Sequence, residues 1–187
     1  MLGSADQTPV PEPPVGLSIR PETVDDYAEV SDVVTMAFGS TEEADLVEAI
    51  RASPEYIPEL ALVAELGGQV VGHVMISYAS LREEEQLTRV AILAPLAVAP
   101  SFHGRGIGSA LVRRVTADAE ALGEPAVVLE GSPGFYGRLG FEYSVPYGIH
   151  ISLPAWAPDE AAQVLRLASY IASIRGQLVC PPAFENL

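Results

Sequence analysis

Leu96-Ala97-Val98-Ala99-Pro100-Ser101-Phe102-His103-Gly104-Arg105-Gly106-Ile107-Gly108-Ser109 is the stretch on which the reading of this chain turns. Upstream of it, Arg89 to Val98 is an apolar strand, buried on both faces if it lies mid-sheet. Downstream, a helix from about Gly108 to Leu122 places Ile107, Leu111, Val115 and Ala119 on one face. Arg113, Arg114, Asp118 and Glu120 take the other. The three glycines between them let successive backbone amides approach an anion, and the helix N-terminus adds partial positive charge. Charge follows the same line. The 32 residues from Gln86 to Ala117 hold no Asp or Glu but do hold Arg89, Arg105, Arg113 and Arg114. With 25 acidic residues in 187, about four carboxylates would be expected there. A local positive island suits a bound polyanion.

Several loops have this outline. A P-loop needs lysine, and the chain has none: every basic side chain is arginine. A dinucleotide fingerprint would use Glu130, at the end of the next strand, as its ribose-binding acid. Against that, Ser109 replaces the third glycine, and Pro100 to His103 separate strand from glycines. Only 57 residues follow Glu130, too few for a second nucleotide-binding half. The plain alternative is a glycine-softened turn with no ligand.

Working outward, Leu17 to Arg20 reads as a short strand and Thr23 to Phe38 as a helix closed by Gly39. Thr41 starts a second helix, running to about Arg51. Leu60–Leu66 and Gln69–Tyr78 flank Gly67-Gly68, a strong hairpin signal. After Gly123, Ala126–Glu130 is a strand, Pro133–Leu139 a short helix and Phe141–Val145 a strand. Ile149–Leu153 and Gln177–Cys180 are further strand candidates, and Pro158 to about Ile171 reads as helix. These elements predict a mixed α/β (α+β) fold. The expected organisation is a flexible tail over 1–16 and one domain over 17–187, with a core of 17–147 and a C-terminal extension of 148–187.

Composition excludes several functions. A formal charge of −15 argues against nonspecific binding to nucleic acid or anionic lipid. One cysteine, Cys180, and histidines at 73, 103 and 150 offer no metal-ligand spacing, so no metal is expected. Absent lysine removes Schiff-base chemistry. Residues 1–16 lack the basic start and apolar run of a signal peptide, and no apolar run reaches the ~20 residues of a membrane span. A soluble cytoplasmic protein is expected, and a homodimer is compatible with the chain without being required by it.

Two motifs then coincide. His103-Gly104-Arg105-Gly106-Ile107-Gly108 resembles the pyrophosphate signature Gln/Arg-x-x-Gly-x-Gly/Ala of the GNAT superfamily, the acyl-CoA-dependent N-acyltransferases. Phe135-Tyr136-Gly137-Arg138-Leu139-Gly140-Phe141 resembles that family's Phe-Tyr-x-Arg/Lys-x-Gly-Phe motif, and Leu96-Ala97-Val98 its Leu-x-Val strand end. The resemblance implies a central, mostly antiparallel twisted sheet, splayed at the acetyl-CoA site and flanked by helices. It also implies acetyl transfer from acetyl-CoA to a small or peptide primary amine by direct attack. The backbone of Leu96, Ala97 and Val98 would pair with the pantetheine arm, with a bulge expected at Pro95. Amides from His103 through Gly104, Arg105, Gly106, Ile107 and Gly108 to Ser109 would cradle the pyrophosphate. His103 departs from the family's Gln or Arg.

By the same resemblance Tyr136 is the general acid for the leaving thiolate. The strand from Val90 to Val98 carries no titratable side chain, which leaves Glu130 as the candidate general base. His73 reads as a satisfied core histidine, and Trp156 as an anchor for the C-terminal extension. Two other functions stay open: an acyl-CoA-binding sensor without turnover, and a dinucleotide-binding oxidoreductase.

Overall fold

The computed structural model describes residues 11–185 of the chain. Strand β1 (Ser18–Pro21) leads through a 3-10 turn into helix α1 (Tyr27–Phe38), which ends at Gly39 with φ +77°. Helix α2 (Glu42–Arg51) follows, then the hairpin of β2 (Tyr56–Leu66) and β3 (Gln69–Glu83). Its turn places Gly67 and Gly68 at φ +61° and +81°. Two consecutive positive φ values match the right-handed twist of the strands, and only glycine takes both without strain. Strand β4 (Gln86–Val98), helix α3 (Ile107–Ala121), strand β5 (Ala126–Glu130) and the one-turn helix α4 (Pro133–Tyr136) complete the family-like order. Beyond them lie β6 (Glu142–Tyr143), β7 (Ile149–His150), β8 (Ala162–Arg166) and β9 (Gly176–Val179).

Among the described residues these strands form one nine-stranded sheet in the order β1-β2-β3-β4-β5-β8-β6, with β9 on the edge of β3 and β7 beside β9. Neighbours are antiparallel except β4 with β5 and β7 with β9. The β4–β5 pair sets up the site. It is in register only at Ala91↔Val127 and Ile92↔Val128, while β4 runs on to Val98 and β5 to Glu130. The sheet therefore opens between them. Opposite the opening, β4 carries one more residue than β3 between the pairs Ile76↔Leu93 and Val74↔Leu96, a bulge spanning Ala94 and the cis-linked Pro95.

Side-chain alternation gives the sheet two apolar faces. Leu62, Val74, Ile76, Leu93 and Leu129 pack beneath Leu111 and Val115 of α3. On the other face Val63, Met75 and Ala97 meet Val34, Val47 and Ile50 of α1 and α2. Further along that second face, Ile92, Val128 and Val164 form a third cluster beneath the C-terminal segment.

Two expectations are corrected. Residues 158–171 are not a helix: after a single 3-10 turn, Ala162–Arg166 is strand β8, paired along all of β5 from Ala126↔Arg166 to Glu130↔Ala162. An open β5 edge would expose a row of unpaired amides, and covering it outweighs the helical periodicity of the segment. Trp156 anchors nothing, being 82% exposed. The tail expected over 1–16 divides: residues 1–10 lie outside the described residues, and from Pro11 onward the backbone runs against the loop at Gly106.

Candidate active site

The opened β4–β5 seam, the loop before α3 and helix α4 meet at a cavity of about 470 Å³. Leu96 and Val98 wall it from β4, and Phe135 and Arg138 from the α4 segment. Ala99 N–H donates to Val71, so along an antiparallel ladder the amide and carbonyl of Val98 and Leu96 turn away from β3, toward the open side. Ala97 alternates to the opposite face, where it is buried beneath α1 and α2.

The loop is built for close approach. Gly104 and Gly106 adopt φ +74° and +75°, a left-handed conformation that glycine tolerates at no steric cost. Gly106 is also the N-cap of α3, and no side chain caps the helix. Among the described residues the amides of Gly106, Ile107, Gly108 and Ser109 meet no acceptor, so a 15-residue helix presents unfilled donors to the cavity. His103, Gly104, Gly106, Ile107, Gly108 and Ser109 all line it. The His103 side chain turns back on the strand, its Nε2 lying 2.7 Å from the Val98 carbonyl oxygen. That bond ties the loop to the end of β4.

The positive island is smaller than the sequence suggested. Arg105 lies over the Phe102 ring at 5.2 Å, outside the cavity lining. Arg89 sits over Tyr78 and pairs at 3.5 Å with Glu124, beyond the far end of α3. Arg114 is bound to Asp118 at 2.8 Å. Arg138, which the sequence reading passed over, reaches the cavity instead. Its signal was its place in the second motif, two residues after Tyr136.

Tyr136 stands behind the cavity wall. Its ring packs edge-on against Phe135 at 4.8 Å and Phe141 at 5.5 Å. Burial pushes its phenol up to about 12. Tyr143 makes no ring contact with it among the described residues. The Tyr136 ring also rests on Gly131, whose carbonyl accepts a 2.9 Å hydrogen bond from the buried Gln163 amide. Neither Gly131 nor Gln163 was singled out by the sequence, since the support comes from β8.

Glu130 ends β5 with its side chain exposed, and partial burial raises its carboxyl. It alternates with Leu129, so it emerges on the face opposite α3, whereas Tyr136 packs on the α3 face. The two candidates thus flank the opening from opposite sides of the sheet. His73 lies elsewhere, under α1 and α2, with Nε2 3.1 Å from Glu22 and Nδ1 without a partner. Among the described residues no group of three or more His, Cys, Asp or Glu could hold a metal ion.

Residues 18–144 match the family model described as an acetyltransferase (GNAT) domain. The chain belongs to the GNAT acetyltransferase family. Among its GNAT relatives, the uncharacterized N-acetyltransferase YjhQ of Escherichia coli is 35% identical over 131 residues, spanning 66% of this chain and 72% of the relative. YhbS of the same organism, another uncharacterized N-acetyltransferase, is 34% identical over 151 residues, 80% of this chain and 87% of YhbS. The crystal structure of YhbS in complex with CoA superposes with a TM-score of 0.79 at 28% identity, over 92% of this chain and 94% of that one. A GNAT acetyltransferase from Brucella melitensis in complex with acetyl-CoA gives 0.72 at 29% identity, covering 90% and 98%. The mostly antiparallel sheet flanked by helices is the GNAT fold.

Proposed function

We propose that this protein is an N-acetyltransferase that takes acetyl-CoA into the β4–β5 opening and transfers its acetyl group to a primary amine by direct attack. The observation carrying this reading is the convergence of strand edge and helix terminus on one cavity. The outward-turned amide and carbonyl of Leu96 and the amide of Val98, whose carbonyl is held by His103, offer an added-strand partner for the amides of a pantetheine arm. Unfilled amides from Gly106 to Ser109 offer donors for a pyrophosphate, and relatives of this fold are seen with CoA and acetyl-CoA. Residues 17–187 act as one domain in this reading, in the cytoplasm. No helix among the described residues is long and apolar enough to cross a membrane.

In the reaction the neutral amine nitrogen attacks the thioester carbonyl, the C–S bond breaks, and the proton lost by nitrogen ends on the departing sulfur. Tyr136 donates a hydrogen bond to that sulfur. With its phenol at about 12 and a free thiol near ~8.5, full transfer from tyrosine to thiolate is uphill. Its contribution is therefore a hydrogen bond held in a poorly hydrated site. Glu130, on the opposite face, is the base: it accepts the amine proton through water and releases it to solvent, from which the departing thiolate takes up its proton. Among the described residues no Cys or Lys lines the cavity, and Ser109 makes no hydrogen bond to His103, whose Nε2 faces the Val98 carbonyl, in keeping with transfer that skips a covalent enzyme intermediate.

The absence of a titratable side chain between Val90 and Val98 supports a second reading, an acyl-CoA sensor without turnover. Calorimetric titration with acetyl-CoA, followed by thiol release with a panel of polyamines, aminoglycosides and basic peptides, separates the two. Binding with thiol release establishes the transferase. Binding without release by any amine favours the sensor, and no binding overturns both.

A further inference from the structure

We propose that residues 11–14 form an intramolecular strap over the phosphate loop, and that acetyl-CoA must displace it to bind. This rests on the reading of the cavity as the acetyl-CoA site. Pro11 lines that cavity together with His103, Gly104 and Gly106. The contact is tight: a β-carbon on Gly106 would lie 2.9 Å from the carbonyl carbon of Pro11 and 3.0 Å from that of Glu12, with the Pro11 oxygen nearer still. No ligand atom fits between strap and loop at Gly106 while this contact stands.

The strap presents the chemistry that the loop is built to receive. Its carbonyl oxygen is an acceptor lying against Gly106, the N-cap of a helix rich in unfilled donors. A pyrophosphate arriving there meets a loop whose Gly106 is already covered by the strap backbone. Pro11, Pro13 and Pro14 hold the segment extended, so little conformational freedom is lost when it docks. Leu17 N–H donates to the Pro14 carbonyl at 3.1 Å, and β1 begins at the next residue. The strap is therefore tethered a few residues from the fold, which keeps its local concentration high.

The test is calorimetric titration of acetyl-CoA into the full chain, into a chain lacking residues 1–14, and into a full-length Pro11→Gly, Pro13→Gly double variant. A strap docked in about 80% of molecules makes the apparent Kd roughly fivefold weaker than the intrinsic one, so the shortened chain should bind roughly fivefold tighter. The double variant should fall between. Equal or weaker binding by a shortened chain that melts cooperatively overturns the strap and leaves the acetyl-CoA reading standing. If the shortened chain does not fold, the double variant decides alone: tighter binding supports the strap and unchanged binding overturns it. Failure of all three to bind overturns the underlying reading, and the strap with it.

Discussion

Gly131 and Tyr136 are packed so closely that the pair admits only glycine at 131: a β-carbon there would lie 2.8 Å from Cδ2 of the tyrosine ring and nearer still to Cε2. The ring is held from its other sides by Phe135 and Phe141. Gly131 is in turn held to the sheet, its amide donating to the Ala161 carbonyl and its own carbonyl accepting from Gln163. The orientation of the candidate acid is thus set by residues just before β8 and within it, about 30 positions further along the chain.

Gly131→Ala should displace the Tyr136 ring, because it cannot yield toward either phenylalanine. The expected cost is about 1–3 kcal/mol of stability, typical of overpacking. Turnover should fall by more than the loss of folded protein accounts for. Thermal melting and thiol-release kinetics on the same preparation check this, and an unchanged kcat would refute the positioning role of Gly131.

Tyr136→Phe removes the hydroxyl and keeps both aromatic contacts, so the melting temperature should barely move. With amine and acetyl-CoA saturating, kcat should drop about 100-fold, within the usual range for a lost proton donor. Because burial puts the phenol at about 12, Tyr136 stays protonated throughout the working range. The kcat profile should show no alkaline decline below about pH 10 from this group. A decline near pH 8–9 that vanishes in the Phe variant would contradict that assignment.

Acid should unfold the protein through the cluster beneath α1 and α2. Arg51 bonds both carboxylate oxygens of Glu22, at 2.6 and 2.9 Å, while Tyr56 donates to Oε1 at 3.0 Å and His73 approaches Oε2 at 3.1 Å. Burial opposes charge on Glu22, but the His73 and Arg51 hydrogen bonds outweigh it and hold the carboxyl at about 2 instead of 4.5. Its stabilisation, on the order of 3 kcal/mol, is complete above pH 4.5 and lost as pH falls toward 2. His73 is pushed down by burial and neutral in the fold, so protons taken up by the unfolded chain below about 6.5 also favour unfolding. Both act in the same direction. Urea midpoints should begin to fall below about pH 6.5 through His73 and fall more steeply below about pH 4.5 through Glu22, and Arg51→Met should cost about 3–5 kcal/mol by leaving Glu22 buried without its cation.

Two loop glycines should respond oppositely to alanine. Gly106 sits at φ +75°, where a β-carbon costs about 1–2 kcal/mol even before its contact with Pro11. Gly108 lies inside α3 with its nearest neighbours 3.6 Å from a would-be β-carbon, so Gly108→Ala should be neutral or a few tenths of a kcal/mol stabilising. Melting temperatures of the two variants provide the comparison.

Much of this molecule was readable from local pattern. The Gly67-Gly68 hairpin, the apolar run of β4 and the amphipathic face of α3 each come from neighbouring residues, and each stands in the structure where its period placed it. The loop from His103 to Ser109 could be named because glycine spacing and a helix start are local signals, whereas Leu96 and Val98 were named through the family resemblance. Arg138 was passed over although it stands in the second motif, because the motif does not record which side of the turn its side chain will face. Residues 162–166 were misjudged because their apolar spacing suits a helix, while their fate was decided by the open edge of β5.

What the sequence by itself determined is therefore the run of elements from β1 to α4, their order and the glycine-rich turn before α3, all governed by interactions within about a dozen residues. Tertiary structure decided the rest. The opening between β4 and β5, the return of β8 to support Tyr136 through Gly131 and the placement of Glu130 on the other face arise from strand pairing between distant segments. So does the lodging of Pro11 against Gly106. Such contacts depend on which edges and cavities remain to be filled once the local elements have packed, and no local period records that.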